Sequence, residues 1–162
     1  MNWLSSSEFL DDIQQRARGF LTDTFEKMFK LDVALLPETG SRAEGRMLGS
    51  HMELSDKTTQ SILSIAISYD LLESLGKDLV SEDSPPLPEL VQDILYEVNN
   101  IVGNRLRSYI HDTKGVDLAM SLPHAGVPPK GADNIAVINL HFRIRDKDQL
   151  NLGLNSRRLA TH

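Results

Sequence analysis

Residues 88–109 constrain the fold most, because their apolar side chains recur at the spacing of an amphipathic helix. At about 100° per residue, these side chains gather on one side. They are Val91, Ile94, Leu95, Val98, Ile101, Val102, Leu106 and Tyr109. Pro88 suits the first helical position, where a missing N–H costs nothing, and Glu89 complements the positive end of the helix dipole. The pattern predicts a long helix, with a stop supplied at Gly115.

The opposite side of this helix carries a polar stripe of two carboxylates and two carboxamides. Its members, which fall within an arc of about 60°, are Asp93, Glu97, Asn100 and Asn104. Poor helix formers are concentrated in the same segment, each costing roughly 0.5–1 kcal/mol relative to alanine. They are Asn99, Asn100, Gly103 and Asn104. Residues of poor helix propensity inside an otherwise well-specified helix are expected where a functional site lies.

Composition narrows the classes of function. The 162 residues carry a net charge of −6 and include no cysteine. Nucleic-acid binding needs a basic stripe, so the acidic balance predicts no nucleic-acid partner. The lack of cysteine excludes disulfides and thiolate chemistry. The N-terminus does not resemble a signal peptide, and no window approaches the ~20 apolar residues of a membrane span. We therefore expect one cytoplasmic domain over residues 1–162, with its core at about 6–156 and no membrane contact.

The remaining segments predict an α+β fold. Residues 6–29 and 70–80 have helical spacing, and the second of these helices is short, with Asp70 as its expected cap. Alternation predicts strands over residues 31–36, 46–55, 59–68, 116–122, 135–145 and 149–156, and residues 123–133 read as a Pro/Gly loop. The expected architecture is an antiparallel sheet of about five or six strands packed with two long helices and one short helix.

Most kinds of catalytic site are missing from the sequence. The five histidines are scattered without metal-ligand spacing, so we expect no metal site, and no Gly-rich phosphate loop or nucleophile motif occurs. What remains is the polar stripe on the long helix. A carboxamide can accept from and donate to one water, and a nearby carboxylate can bind a lysine. A solvated helix face without function has the same pattern, so the residues alone leave both interpretations open.

Residues 93–104, with the sequence DILYEVNNIVGN, resemble the signature of the CheX, CheC and FliY phosphatases of bacterial chemotaxis. That signature is Asp or Ser, three residues, Glu, two residues and Asn, commonly followed by a Gly-Asn pair. The matching positions are Asp93, Glu97, Asn100, Gly103 and Asn104. The strand–turn–strand layout on both sides extends the resemblance over residues 6–156, by pattern rather than by identities.

The resemblance implies a CheC-like fold and a phosphatase for the phospho-aspartate of a CheY-like response regulator. It implies that the helix inserts at the regulator's active site, where Asn100 orients the attacking water and Glu97 pairs with the regulator's lysine. Asp93 and Asn104 are expected to support binding. The chain would need no cofactor of its own, because the regulator supplies the Mg²⁺.

A CheX-like arrangement, with one site per chain, is also implied. The first helix carries Asp11, Gln15 and Arg18 at the spacing where a second copy of the motif would stand. CheX proteins form dimers through edge strands, so a homodimer is expected, and residues 135–156 are a suitable donor for it.

Two other interpretations remain. The first is a non-catalytic adaptor that binds a response regulator, or a relative of the motor-switch middle domain, on the same fold. The retained pair of Glu97 and Asn100 speaks against it, because an adaptor does not need the carboxamide. The second is an unrelated α+β protein with a merely solvated helix face. A buried Asn100, or one hydrogen-bonded into the core, would favour that interpretation.

Overall fold

Three helices and an antiparallel sheet form the part of the chain that the computed structural model describes, which is residues 6–37, 45–126, 134–145 and 147–159. The helices are α1 (Ser7–Phe29), α2 (Tyr69–Leu79) and α3 (Leu87–Lys114). The strands are β1 (Val33–Leu35), β2 (Met47–Ser55), β3 (Thr59–Ser68), β4 (Ala119–Met120), β5 (His124–Ala125), β6 (Asn134–Ile144) and β7 (Asp148–Arg158). The predicted α+β class, with two long helices and one short helix, is confirmed.

The described strands form one sheet in the order β1-β6-β7-β3-β2-β4, with β5 also paired to β2. Every pairing is antiparallel. Both predicted hairpins are present, as β2–β3 and β6–β7, and they meet where β3 pairs with β7. Two very short strands at the β2 edge bring the described total to seven, against the expected five or six.

One face of the sheet is covered by the helices. On β6, Ile138, Leu140, Phe142 and Ile144 are buried, as the alternation predicts. The intervening Asn139 and Arg143 are exposed on the opposite face. The buried set joins a single core with residues of all three helices. No helix in the described ranges is both long enough and apolar enough to cross a membrane.

Helices α2 and α3 both begin earlier than predicted. Helix α2 starts at Tyr69 with Ser68 as its N-cap, so the predicted cap at Asp70 is wrong. The reason is that the Tyr69 N–H still donates to the Arg46 carbonyl at 2.9 Å, so the helix grows directly out of the strand ladder. Helix α3 starts at Leu87, with Pro88 inside its first turn.

Helix α3 also extends beyond the predicted residue 109, to Lys114. Its apolar face continues to Ile110, which is buried. The predicted stop at Gly115 is confirmed, because this residue adopts a left-handed φ of 64° and its N–H donates to the His111 carbonyl at 2.8 Å. The full helix has 28 residues and a length of about 42 Å.

The predicted strand over residues 116–122 is largely wrong. Only Ala119–Met120 pairs with β2, and a second short pairing, His124–Ala125, falls inside the predicted loop. Between them the Ser121 N–H still donates to the Glu53 carbonyl at 3.0 Å, but the Glu53 N–H donates to Ser121 Oγ at 2.8 Å instead of to a backbone carbonyl. Residues 127–133 of the predicted loop lie outside the described ranges.

The edges of the sheet differ from the expectation for residues 135–156. Strand β7 is interior, since it pairs with β6 and β3 along its length and continues to Arg158. Strand β1 covers only residues 142–144 of β6. The preceding residues of β6, 134–140, have no strand beside them on that side within the described ranges. Of the predicted donor, therefore, only this part of β6 is an edge.

Candidate functional site

Helix α3 is fixed against β2 at two points on its buried side. Asn99 is fully buried, and its Nδ2 donates to the buried Ser50 Oγ at 2.8 Å. One turn further, Gly103 lies so close to the strand that an added Cβ would stand 2.6 Å from Met52 Sδ. The four residues from Asn99 to Gly103 rise about 6 Å along the helix, and the two residues from Ser50 to Met52 rise about 6.8 Å along the strand. The spacing of the two contacts therefore matches on both elements.

These two contacts correct one part of the sequence interpretation. The sequence pattern links the poor helix formers Asn99 and Gly103 to the functional site, but both face the sheet. The amide is there to bond with Ser50, and the glycine is there because a side chain would strike Met52. The side chain of Asn99 is not fully satisfied, since Oδ1 has no hydrogen-bond partner among the described residues.

The four residues of the predicted stripe lie on the other side of α3. Asp93, Glu97 and Asn104 are exposed, and Asn100 is half-buried. The Nδ2 of Asn104 donates back to the Asn100 carbonyl at 3.0 Å, so that carboxamide lies along the helix. The structure therefore brings all four together on one helix face, as the helical spacing predicts.

Two functional groups in this stripe remain unengaged. Within the described ranges, Glu97 forms no ion pair and the Asn100 side chain forms no hydrogen bond. The condition for a functionless helix face, an Asn100 buried or bonded into the core, is not met, because Asn99 occupies that position instead. A carboxamide free to donate and accept, three residues after a free carboxylate, can hold a water and a cation side by side.

The side of α3 next to the stripe packs against α1, which runs antiparallel to it. Arg105 Nη1 lies 2.7 Å from Asp23 Oδ2, and its guanidinium stacks on the Phe20 ring at 4.9 Å. The hydrogen bond from Arg105, and then that from Lys27, holds the pKa of the Asp23 carboxyl below its ordinary value. This pairing is a contact between helices that sequence spacing cannot reveal, since it joins residues far apart in the chain.

No second copy of the motif stands on α1. Asp11, Gln15 and Arg18, at the corresponding spacing, are all exposed, and they offer a carboxylate, a longer carboxamide and a cation rather than the Asp, Glu and Asn of the motif. The chain therefore presents one such stripe within the described ranges.

Histidines come together at one place, although their spacing in the sequence gave no sign of it. His51 and His124 face each other across the β2–β5 pairing, with ring centroids 5.7 Å apart. His51 Nδ1 lies 3.1 Å from the Gly126 carbonyl. Across the described part of the chain, no group of three histidine or acidic residues could hold a metal ion.

This arrangement of an antiparallel sheet under three helices is the fold of solved chemotaxis proteins described as CheX or CheC-like. CheX from Vibrio vulnificus superposes with a TM-score of 0.69, at 17% identity, over 90% of this chain and 96% of that one. The resemblance inferred from residues 93–104 is thus confirmed at the level of the fold.

Two further structures with this fold bear on the alternatives. A CheX–CheY–BeF₃–Mg²⁺ complex from Borrelia burgdorferi matches with a TM-score of 0.69 at 14% identity, over 88% of this chain and 96% of that one. The FliM middle domain from H. pylori matches with a TM-score of 0.58 at 11% identity, over 94% and 93%. No family model matches the sequence. Nor does any curated protein.

Proposed function

We propose that this chain is a phosphatase that hydrolyses the phospho-aspartate of a CheY-like response regulator. The observation that carries the proposal is the unengaged pair of Glu97 and Asn100 on the exposed side of a helix anchored by Asn99 and Gly103. The fold supports it, because a CheX of the same fold has been solved together with CheY, BeF₃ and Mg²⁺.

Each residue of the pair has a distinct role in the proposal. Asn100 accepts from and donates to one water and so aims it at the phosphorus, while Glu97 binds the regulator's active-site lysine. The water attacks, the bond from phosphorus to the aspartate oxygen breaks, and both protons of the water leave on the released phosphate. Neither side chain is a strong base, so the rate gain comes from positioning and from charge stabilisation.

The regulator completes the site in this scheme. The Mg²⁺ belongs to the regulator in this proposal, and this chain needs no metal or cofactor of its own. Asp93 and Asn104 extend the contact on either side of the working pair. We place the reaction in the cytoplasm and expect a homodimer formed through the open part of the β6 edge, which light scattering of the purified protein would test.

The direct test is phosphate loss from a panel of phosphorylated CheY-like receivers, with and without this protein. We expect the lifetime of at least one phospho-receiver to shorten, and Asn100→Ala to return it to the intrinsic value. Gln14→Ala is the matched control, since it removes an exposed carboxamide from α1. Full activity in a folded Asn100→Ala variant would rule out the proposed mechanism.

A second candidate function is a non-catalytic adaptor, favoured by the similarity to the FliM middle domain. It makes a different prediction in the same experiment. The protein would bind a receiver activated with BeF₃ and Mg²⁺ but leave the lifetime of the phosphorylated receiver unchanged. The free carboxamide of Asn100 favours the phosphatase over this alternative.

A further inference from the structure

A surface groove of about 400 Å³ lies between α1 and α3 and continues the polar stripe. It is lined by Arg16 and Phe20 from α1 and by Asn104, Arg105, Ser108, Tyr109 and Asp112 from α3. Asn104, Ser108 and Asp112 follow Asn100 at steps of four residues, so they form one row on the helix surface. The groove is therefore contiguous with the candidate site.

Two guanidinium groups line the groove, and only one of them is neutralised within the described ranges. Arg105 is paired with Asp23. Arg16 stacks on the Tyr109 ring at 5.0 Å, and no described carboxylate forms an ion pair with it. Asp12, one turn before Arg16 on α1, accepts a hydrogen bond from the Tyr109 hydroxyl instead. Tyr109 thus covers one face of the Arg16 guanidinium with its ring. Its hydroxyl also bonds to Asp12, the carboxylate one turn before Arg16 on α1.

Such an arginine suits a carboxylate on another molecule. Stacking on an aromatic ring fixes the plane of the guanidinium and leaves its N–H edge available for two parallel hydrogen bonds. Much of the conformational entropy of the long arginine side chain is therefore lost before binding and not on binding. Asp112 on the groove wall disfavours a dianion more than a single carboxylate, so an acidic side chain fits better than free phosphate.

The groove lies within reach of a protein bound at Asn100. Asn104 belongs to both the polar stripe and the groove, and Ser108, in the same row, is eight residues beyond Asn100, a rise of about 12 Å. A typical interface buries about 800 Å² on each partner, which corresponds to a patch roughly 30 Å across. A receiver centred on Glu97 and Asn100 would therefore reach the groove with the rim of its interface.

We propose that Arg16 binds an acidic side chain of the response regulator, outside the regulator's active site, and so contributes to the choice of regulator. This inference rests on the proposed function, because it takes the same partner. In this scheme the stripe performs the chemistry, and the groove between α1 and α3 selects the protein on which the chemistry is done.

The test compares two charge reversals on α1 with the receiver identified in the panel assay. Arg16→Glu should raise KM about tenfold or more at low salt and leave kcat within about twofold, because a contact outside the chemistry affects docking. Arg18→Glu changes the net charge equally but lies about 200° around the helix, and it should leave KM within about twofold. Arg16→Gln should show a smaller increase and keeps the test available if the reversal impairs folding.

A charge swap identifies the partner group. Acidic surface residues of the receiver are changed singly to arginine, and one such variant should lose affinity for the wild-type protein and regain it with Arg16→Glu. Equal KM values for the Arg16 and Arg18 variants, or no restoring receiver variant, would overturn the inference. Failure of the proposed function looks different, because the wild-type protein would then shorten the lifetime of no phospho-receiver.

Discussion

Asn99 Nδ2 donates to Ser50 Oγ at 2.8 Å, and this bond in the core adds a directional contact to the apolar packing that turns Asn99 toward the sheet. Adjacent helical residues differ by about 100° in direction, so fixing Asn99 against β2 turns Asn100 outward. Apolar packing alone tolerates small rotations of a helix, whereas a directional hydrogen bond between buried groups does not. The orientation of the polar stripe is thus held in part by a residue on the opposite side of α3.

Removing this bond should destabilise the fold by an amount that depends on which of its two residues is replaced. Ser50→Ala leaves both polar atoms of the Asn99 amide unpaired and should cost about 1–3 kcal/mol in urea unfolding. Asn99→Ala should cost less, because it also removes the unsatisfied Oδ1. In a double-mutant cycle the two losses should sum to more than the loss in the double variant, by about 1 kcal/mol. Additive losses of unfolding free energy would show that the Asn99 and Ser50 side chains do not stabilise each other.

The two glycines inside long helices should respond to alanine with opposite signs. Gly103→Ala places a methyl group 2.6 Å from Met52 Sδ in a filled core and should destabilise by about 1–3 kcal/mol. Gly19→Ala meets nothing within 4 Å on an exposed part of α1, so it should stabilise by about 0.5–1 kcal/mol. Thermal unfolding of the two variants checks the contrast, and a stabilised Gly103→Ala would be inconsistent with the close approach.

The ion pair between Asp23 and Arg105 should make the packing of α1 on α3 sensitive to acid. The pKa of Asp23 is lowered in the folded state, so its contribution is fully present above the ordinary value of 3.8 and is lost as pH falls through the folded value. Asp23→Asn should therefore be less stable than wild type at pH 7. The difference should shrink below pH 3.8. A difference constant from pH 7 to pH 2 would show that the charge of Asp23 is not responsible.

In the proposed reaction, Glu97 and Asn100 should affect different kinetic constants. Asn100→Asp keeps the shape but loses the donor, so kcat should fall by about a hundredfold or more. Glu97→Gln keeps a hydrogen-bond acceptor but loses the charge that binds lysine, and its main effect should be a KM raised about tenfold. Steady-state dephosphorylation of the receiver distinguishes the two. A pure KM effect in Asn100→Asp would mean that Asn100 binds the regulator without aiming the water.

Periodicity predicted most of the fold, since the buried faces of α1, α3, β3, β6 and β7 all repeat at the spacing of their element. Element ends were less well predicted, because they depend on distant partners. Tyr69 begins α2 while its N–H is still bonded to Arg46, and no local pattern around residue 69 contains that bond. Residues 116–122 were predicted as one strand because their apolar residues are common to strands and irregular edges, and β5 lies in the segment that was predicted as a loop.

The candidate stripe could be located from the sequence because helical spacing alone puts Asp93, Glu97, Asn100 and Asn104 on one face. The roles of Asn99 and Gly103 could not, because their partners lie on β2, 49 residues earlier for Asn99 and 51 for Gly103. Both are polar or small residues inside an apolar helix face, and that mismatch with the period was the available signal. The groove at Arg16 was beyond prediction, since it requires the antiparallel packing of α1 on α3.

Residues 134–140 of β6, which have no neighbouring strand on one side within the described ranges, have a consequence for the number of regulators that one assembly could bind. Strand addition at residues 134–140 takes place in the plane of the sheet, whereas α3 lies above that plane. Two chains joined there in antiparallel fashion, about a twofold axis normal to the sheet, would carry both α3 helices on the same side. Neither helix would obstruct the other, so a joined pair would be bivalent, and two receivers held in proximity could be engaged with higher avidity than one.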